Sequence, residues 1–184
     1  EYPCFPLANA GVKFEIPGAE LAHHLSKLSV YTASEKGRYA LNGLFWEFGG
    51  EVNQPLVNDK DSYNVQLVAT DGKHLAAHAL SVSTKKAPRS QAILHYAHAQ
   101  TLAGIIKTLD SAEDNVEVAI PPENEVTNDK GEVVEVTQVN RMFFGNRKWN
   151  FATLLVEGQF PNWHSVVPKT DATVILRRQE YIGA

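Results

Sequence analysis

Two short runs of residues that are apolar at every second position flank the dipeptide Asp71-Gly72, in the stretch 65–78. Such alternation is typical of β-strands, and an Asp-Gly pair supplies the positive φ angles of a tight two-residue turn. We therefore predict a β-hairpin that turns at these two residues. One side of its first strand carries Val65, Leu67 and Ala69, and one side of its second strand carries Leu75, Ala77 and Ala79. A period of two places one such face on a core.

Two other segments have the period of a helix, and we predict helices over 18–33 and 98–109. Their apolar stripes are Leu21, Leu25, Leu28 and Thr32 in the first helix and Leu102, Ile106 and Leu109 in the second. Further strands are predicted at 12–16, 41–48, 92–96, 116–120, 133–139, 141–144 and 149–156. This order is roughly two copies of a helix followed by about four strands. Antiparallel strands with a helix inserted twice indicate an α+β domain.

The chain has 184 residues, enough for one domain with a substantial core, and its single cysteine, Cys4, excludes an internal disulfide and a cysteine-built metal site. Residues 110–136 carry nine of the 21 acids and one of the 17 bases, which leaves a net charge of +4 on the remainder. A mildly basic body is compatible with a polyanionic partner. The sequence has neither a membrane-length apolar run nor a recognisable signal peptide, so a cytoplasmic protein is expected.

Three motifs follow one another along the chain: RYALNG at 38–43, LVATDGKHLA at 67–76, and LVEGQFPNW at 155–163 with VPK at 167–169. Together they resemble the middle domain of the bacterial DNA polymerase III β subunit, the replicative sliding clamp. The resemblance covers about residues 18–169. It implies a linker from a preceding clamp domain at 1–17, the middle domain at 18–169 and the start of a following clamp domain at 170–184.

This resemblance implies a DNA-clamp fold, with two helices packed inside antiparallel sheets and an internal pseudo-twofold repeat. It also implies a ring of six similar domains, formed by two full-length subunits, that encircles double-stranded DNA without reading its sequence and gives the polymerase processivity. Such a protein is not an enzyme, needs no cofactor and lies in the cytoplasm on the nucleoid. This domain alone is expected to be mainly monomeric. The residues expected to face DNA are Lys27, Lys107, His23, His98, Arg38 and Tyr39.

The resemblance further implies a groove that docks Gln-x-x-Leu-Phe-like peptides of the polymerase and the clamp loader. The matching positions are Leu41, Thr70, Gly72, Lys73, His74, Leu75, Pro161 and Val166. The leucines and the valine among them would form an apolar floor, and the glycine would let a partner backbone approach closely. Relatives commonly have His-Arg where this chain has Lys73-His74 and a base where it has Ser165, so the chemistry of the groove's rim is altered.

Metal or catalytic sites are not expected from the sequence. On a strand, His74 and His78 would lie about 13 Å apart at about 3.3 Å per residue, which excludes a shared metal ion. His95 and His98 have no third ligand nearby in the sequence. Asp71 and His74 could be drawn as a catalytic dyad, but no serine or cysteine lies in the turn that a nucleophile requires.

Two questions stay open at the level of the sequence. The two predicted helices carry few full positive charges, which leaves a second class of function: a clamp-derived protein-interaction module with little DNA contact. The acidic insertion at 121–139 is longer than a hairpin needs, and no function follows from its residues.

Overall fold

The computed structural model describes residues 12–33, 39–48, 62–83, 91–108, 114–120, 124–127, 133–137 and 140–167. In these ranges the chain forms two α-helices and ten β-strands, together with short 3-10 turns at Ser29–Tyr31, Tyr39–Leu41 and Trp163–Ser165. The helices are α1 (Gly18–Leu28) and α2 (Tyr96–Thr108). The strands are β1 (Val12–Pro17), β2 (Gly43–Phe48), β3 (Ser62–Thr70), β4 (Leu75–Ser83), β5 (Gln91–His95), β6 (Asn115–Ile120), β7 (Asn124–Thr127), β8 (Val133–Thr137), β9 (Arg141–Gly145) and β10 (Asn150–Leu154). Within the described ranges, neither helix has the length and apolar character needed to span a membrane.

The strands form two antiparallel sheets of four strands each. Sheet A has the order β1-β6-β9-β10 and sheet B the order β4-β3-β2-β5, while β7 and β8 pair separately within the acidic insertion. Along the chain a strand, a helix and three strands occur twice, as β1-α1-β2-β3-β4 and, apart from the β7–β8 hairpin, as β5-α2-β6-β9-β10. The first strand of each unit is the edge strand of the other unit's sheet. The predicted α+β fold with an internal pseudo-twofold repeat is thereby confirmed, except that each unit begins with a strand and not with its helix.

One hydrophobic core lies between the two helices and the inner faces of both sheets. Both predicted helical stripes enter it, and the strands contribute residues at every second position. The buried residues include Leu21, Leu25, Leu28, Leu102 and Ile106 from the helices, and Phe14, Ile16, Leu44, Trp46, Val65, Leu67, Val116, Val118, Met142 and Phe144 from the strands. The two helices also contact each other directly, because Lys107 Nζ donates a hydrogen bond to Ser26 Oγ (2.9 Å).

The first helix is shorter than predicted and the second begins earlier. The α-helix α1 ends at Leu28, and the chain continues as the 3-10 turn Ser29–Tyr31. At this junction the Ser29 hydroxyl donates to the Leu25 carbonyl, a local bond that competes with regular helix geometry. Thr32, predicted as the end of the stripe, is therefore half-buried outside the helix. Leu109 lies outside the described residues.

The predicted central hairpin is confirmed, but the prediction of a two-residue turn is wrong. Thr70 pairs with Leu75 across the strands, so four residues form the loop. The reason is the Asp71 side chain, whose Oδ1 accepts hydrogen bonds from the backbone N–H groups of Lys73 (2.8 Å) and His74 (2.6 Å). Aspartate side chains commonly cap turns in this way, which stabilises a longer loop than the Asp-Gly pair alone predicts.

The strand register places the two apolar rows of the hairpin on opposite sides of sheet B. Val65 pairs with Leu80 and Ala69 with Ala76, so the even-numbered residues of β4 share a side with the odd-numbered residues of β3. The row that begins at Val65 therefore faces the core. Leu75 lies on the other side of the sheet and is available for a second cluster.

Three further predictions need a correction or a comment. Leu41 was predicted to open a strand, but it ends a 3-10 turn that is closed by a hydrogen bond from the Asn42 N–H to the Tyr39 carbonyl (3.1 Å), and β2 begins at Gly43. The strand predicted at 12–16, at the end of the linker, is observed as Val12–Pro17 and is the edge strand of sheet A. The predictions for 1–11, 49–61, 84–90 and 168–184 lie outside the described residues.

Candidate partner-docking surface

A second apolar cluster covers the side of sheet B that faces away from the helices, and we call it the outer cluster. Its strand residues are Phe45, Val68 and Ile93, which alternate along β2, β3 and β5 with residues of the core. The other members are Ala33, Leu41 and Phe160, which are buried, and Ala40, Leu75, Val156 and Trp163, which are half-buried. Sheet B is thus buried on both faces at Phe45, Val68 and Ile93, although antiparallel sheets commonly expose one face.

The chain that follows β10 crosses from sheet A and packs on this outer face. The Val156 N–H donates to the carbonyl of Ile93 (2.8 Å), which fixes the start of the crossing on β5. Further along, the ring of Phe160 stacks on Phe45 with 4.6 Å between centroids and 4° between planes. Residues 156–166, which we call the covering segment, are thereby fixed to sheet B.

Glu47 supplies the polar attachment of the covering segment. Its Oε2 accepts a hydrogen bond from the indole Nε1 of Trp163 (3.3 Å) and another from Nε2 of His164 (3.0 Å). The Glu47 side chain is only 15% exposed. Because a partly desolvated carboxylate needs such donors, these bonds set the orientation of the indole at the edge of the outer cluster.

The hairpin loop is held rigid by its own side chains. Asp71 caps the loop, as described above, and its Oδ2 also accepts from Nδ1 of His74 (2.9 Å). This bond, together with those from the loop backbone, holds the pKa of the Asp71 carboxyl well below its usual range. The Thr70 hydroxyl donates to the His74 carbonyl (2.6 Å) and accepts from the Gly72 N–H (3.0 Å). Gly72 has a φ of +87°, a conformation that glycine adopts at little cost.

The structure brings part of the predicted groove together. Leu41 and Leu75 belong to the outer cluster, and Thr70 is buried directly beside the loop. Gly72, Lys73 and His74 form its exposed tip.

The remaining groove positions lie in the covering segment. Pro161 is exposed next to Phe160, and Val166 is 66% exposed. The Val166 N–H donates a hydrogen bond to the Trp163 carbonyl (3.2 Å). Sequence reasoning missed three residues that build this surface: Phe45, Glu47 and Trp163. The alternation in β2 and the aromatic residues of the third motif were the available signals.

The predicted DNA-facing residues have different surroundings. Lys27, Lys107 and His23 are exposed on the two helices, and Tyr39 is 68% exposed on its 3-10 turn. His98 is also exposed, but its Nδ1 lies 2.7 Å from Oγ1 of Thr153 in β10, so the ring is directed to sheet A. Arg38 lies outside the described residues.

Comparisons with known proteins agree on one family. The model of the DNA polymerase III beta subunit, central domain, matches residues 15–162. The beta sliding clamp of Treponema pallidum (strain Nichols) is 25% identical over 167 residues, which are 91% of this chain and 36% of that protein. The crystal structure of the DNA polymerase III subunit beta from Pseudomonas aeruginosa has a TM-score of 0.65 at 20% identity and matches 92% of this chain and 38% of its own. The beta subunit from Thermotoga maritima has the same TM-score and identity, with 92% and 37% covered.

The fold described above is thus shared with the solved DNA polymerase III beta subunits. The chain belongs to the DNA polymerase III beta subunit family and matches its central domain. It spans just over a third of the length of the relatives that it matches.

Proposed function

We propose that this chain is the middle domain, residues 18–169, of a ring-shaped sliding clamp that encircles double-stranded DNA and gives the replicative polymerase processivity. Family membership supports this role. Strand β1 (Val12–Pro17), which the sequence assigned to a linker at 1–17, is the edge strand of sheet A, so we include it in the domain. We propose that linker residues precede β1 and that the beginning of a third domain lies at 170–184. In this role the domain is non-catalytic and acts in the cytoplasm, on the nucleoid. Because the ring closes through the first and third domains, the middle domain alone is mainly monomeric.

The edge of the outer cluster at Leu75, which is half-buried, is the docking site for short peptides of the polymerase and the clamp loader. The observation that carries this proposal is Leu75, which the capped loop holds half-buried against an apolar cluster on the sheet face away from the helices. An apolar surface of this kind suits the Leu-Phe end of a Gln-x-x-Leu-Phe peptide. Burial of one leucine-sized side chain contributes roughly 1.5–3 kcal/mol.

The rim of the site sets partner preference. Lys73 and His74 are exposed at the loop tip, and Pro161 and Val166 are exposed on the covering segment. The Lys73 ammonium presents a positive charge to an incoming peptide, whereas His74 is engaged with Asp71. A partner peptide with an acidic residue beside its apolar anchors is therefore favoured.

A peptide-binding titration tests the docking proposal. A fluorescent Gln-x-x-Leu-Phe peptide is added to the full-length protein and its anisotropy is measured. Leu75→Ala is expected to weaken binding about tenfold, which corresponds to about 1.4 kcal/mol. The matched control is Leu154→Ala, since Leu154 is 56% exposed on β10, the strand of the second unit that corresponds to β4. Equal affinity of the wild type and Leu75→Ala would place the peptide elsewhere.

One observation favours a second function, a clamp-derived interaction module with little DNA contact. On the described parts of α1 and α2 the full charges are Glu20, Lys27 and Lys107, which is a small excess of positive charge for a surface facing phosphates. The salt dependence of DNA association by the full-length protein separates the two functions. A clamp shows a steep fall in affinity with salt, because phosphate contacts release counterions.

A further inference from the structure

Three side chains with metal-ligating atoms meet where α1 packs against β4. Glu20 and His24 lie one turn apart on α1, so they project from the same face of the helix. His78 lies on the core side of β4, in the even-numbered row that begins at Ala76. The ligand atoms of the three side chains all lie within 4.8 Å of one another. No other group of three such residues occurs in the described part of the chain.

We propose that Glu20, His24 and His78 form a binding site for a divalent transition-metal ion, with zinc as the best fit. Two imidazoles and one carboxylate are a ligand set that Zn²⁺ accepts in proteins, with the remaining position taken by water. The proposal is independent of the clamp function, because it depends only on contacts inside this domain. Its structural effect is to link the first helix to the edge strand of sheet B.

The ligand atoms are close enough for one ion, but the two imidazole rings must reorient to bind it, because an imidazole lone pair lies in the plane of its ring. Zinc–nitrogen bonds are about 2.0–2.1 Å long, so two ligands of one ion lie about 3.4 Å apart in a tetrahedral site. The rings of His24 and His78 already stack with centroids 3.4 Å apart and planes 17° apart. Coordination requires these planes to tilt until both nitrogen lone pairs point to one position. Glu20 is exposed, so its carboxylate is free to rotate into place.

Charges of both signs lie near the cluster, with a carboxylate among the ligands and a lysine on the next turn of the helix. Glu20 supplies a negative charge to the ion, and the two imidazoles bind a metal through a nitrogen lone pair in their neutral form. His23 meets the His24 ring edge-on at 5.1 Å, and Lys27 lies on the next turn of α1. Lys27 is exposed, so solvent screens its repulsion of a bound ion.

Sequence separation explains why this cluster is invisible in the sequence. His24 and His78 lie on different elements, and only the packing of α1 on β4 brings them together. The histidine pairs that are close in sequence do not have this arrangement. His74 belongs to the hairpin loop and contacts Asp71, while His95 and His98 have rings 5.4 Å apart at the start of α2.

Calorimetric titration of the metal-free, untagged full-length protein with zinc sulfate tests the site. The wild type is expected to bind one ion through this domain, and either His24→Gln or His78→Gln is expected to weaken that binding at least tenfold. Glu20→Gln is expected to weaken it less, since a neutral amide oxygen replaces the carboxylate. The matched controls are His23→Gln, on the adjacent position of α1, and His98→Gln, on the other helix; both are expected to bind zinc as the wild type does.

Thermal unfolding supplies a second readout that also checks folding. Zinc is expected to raise the Tm of the wild type and of His23→Gln but not that of His78→Gln, while a similar Tm without zinc shows that the variant is folded. Absence of saturable binding to the wild type would overturn the proposal. Zinc binding that survives both His24→Gln and His78→Gln unchanged would overturn it as well, because the ion would then occupy other residues. In either case the stacked histidines are a packing pair only.

Discussion

On the outer face of sheet A, charged and polar side chains of β1 and β6 pair with one another. Lys13 bonds to Glu117 (2.9 Å) and Asn115 to Glu15 (2.9 Å) across the two strands. On the outer face of sheet B, the corresponding strands β5 and β2 carry Ile93 and Phe45, which lie under the covering segment.

The two sheets have the same topology, so their difference arises from the side chains alone. Outward-facing positions do not contribute to the core and are therefore free to differ between the two units. In sheet A they contact water, with Ala119 and Phe143 as buried exceptions, and in sheet B they bind another segment of the same chain. The comparison shows how one repeated scaffold acquires a single specialised face, because function depends on residues placed on a fold and not on the fold itself.

The largest effect is expected from removal of the aromatic contact that fixes the covering segment. Phe160 is 6% exposed and stacked on Phe45, so Phe160→Ala should lower the free energy of unfolding by about 3 kcal/mol, as large-to-small changes at buried aromatic positions do. Urea denaturation measures this change. Leu154→Ala on the outer face of sheet A is the control and should change stability by less than about 0.5 kcal/mol. Similar losses for the two variants would refute the distinction between the faces.

A smaller effect is expected from the polar attachment of the same segment. In Glu47→Gln a neutral amide replaces the carboxylate that accepts from Trp163 and His164, so the free energy of unfolding should fall by about 1 kcal/mol. Peptide affinity should fall with it, because the indole loses its fixed orientation. Glu117→Gln, at a half-exposed position in sheet A, is the matched control. Unchanged unfolding and affinity in Glu47→Gln would show that Phe160 alone holds the segment.

A still smaller effect is expected from the charged pairs on sheet A. Lys13 and Glu117 have side chains that are 46% and 49% exposed. A double-mutant cycle with Lys13→Ala and Glu117→Ala should give a coupling energy of about 0.2–1 kcal/mol, which decreases as salt is added. A coupling above this range that is insensitive to salt would mean that the outer face of sheet A is more desolvated than its exposure indicates.

The smallest effect is expected in the hairpin loop, where acid protonates the Asp71 carboxylate. The ordinary pKa of Asp71 is 3.8, and the bonds from His74 and the backbone lower its pKa in the folded protein. The folded state therefore binds its proton less readily than the unfolded chain, so the stabilisation is complete above pH 3.8 and is lost as the pH falls through the lower folded value. In the acid range, the amide chemical shift of Lys73 should report the carboxyl titration only at a pH well below 3.8. A midpoint at or above 3.8 would contradict the capped loop, and in Asp71→Asn the titration should vanish.

Structural elements that depend on local periodicity could be predicted from the sequence. The stripes through Leu25 and Leu102 and the alternation around Leu67 predicted the helices, the hairpin and the α+β class, because burial of one face imposes those periods. The three motifs were sufficient for the family. The length of the hairpin loop was not predictable from the Asp-Gly pair, since a side-chain cap from Asp71 determines it.

Contacts between distant residues account for the rest. Glu47 and Trp163 are separated by 116 positions, and no local pattern indicates that a carboxylate in β2 will hold an indole beyond β10. Val166 and Pro161 were assigned to the predicted docking groove only by resemblance. The metal-ligating cluster was not predicted for the same reason, because His24 and His78 are distant in the sequence and only the packing of α1 on β4 brings them together.

The exchange of first strands between the two units has a consequence for how the domain holds together. Neither unit can complete a four-stranded sheet from its own residues, because β1 and β5 are each supplied by the other half. If the chain were cut between β4 and β5, the two pieces would each have an unpaired sheet edge that only the other piece matches. The two halves of the domain are therefore held together by strand pairing in both sheets, and unfolding of either half removes an edge strand from the sheet of the other.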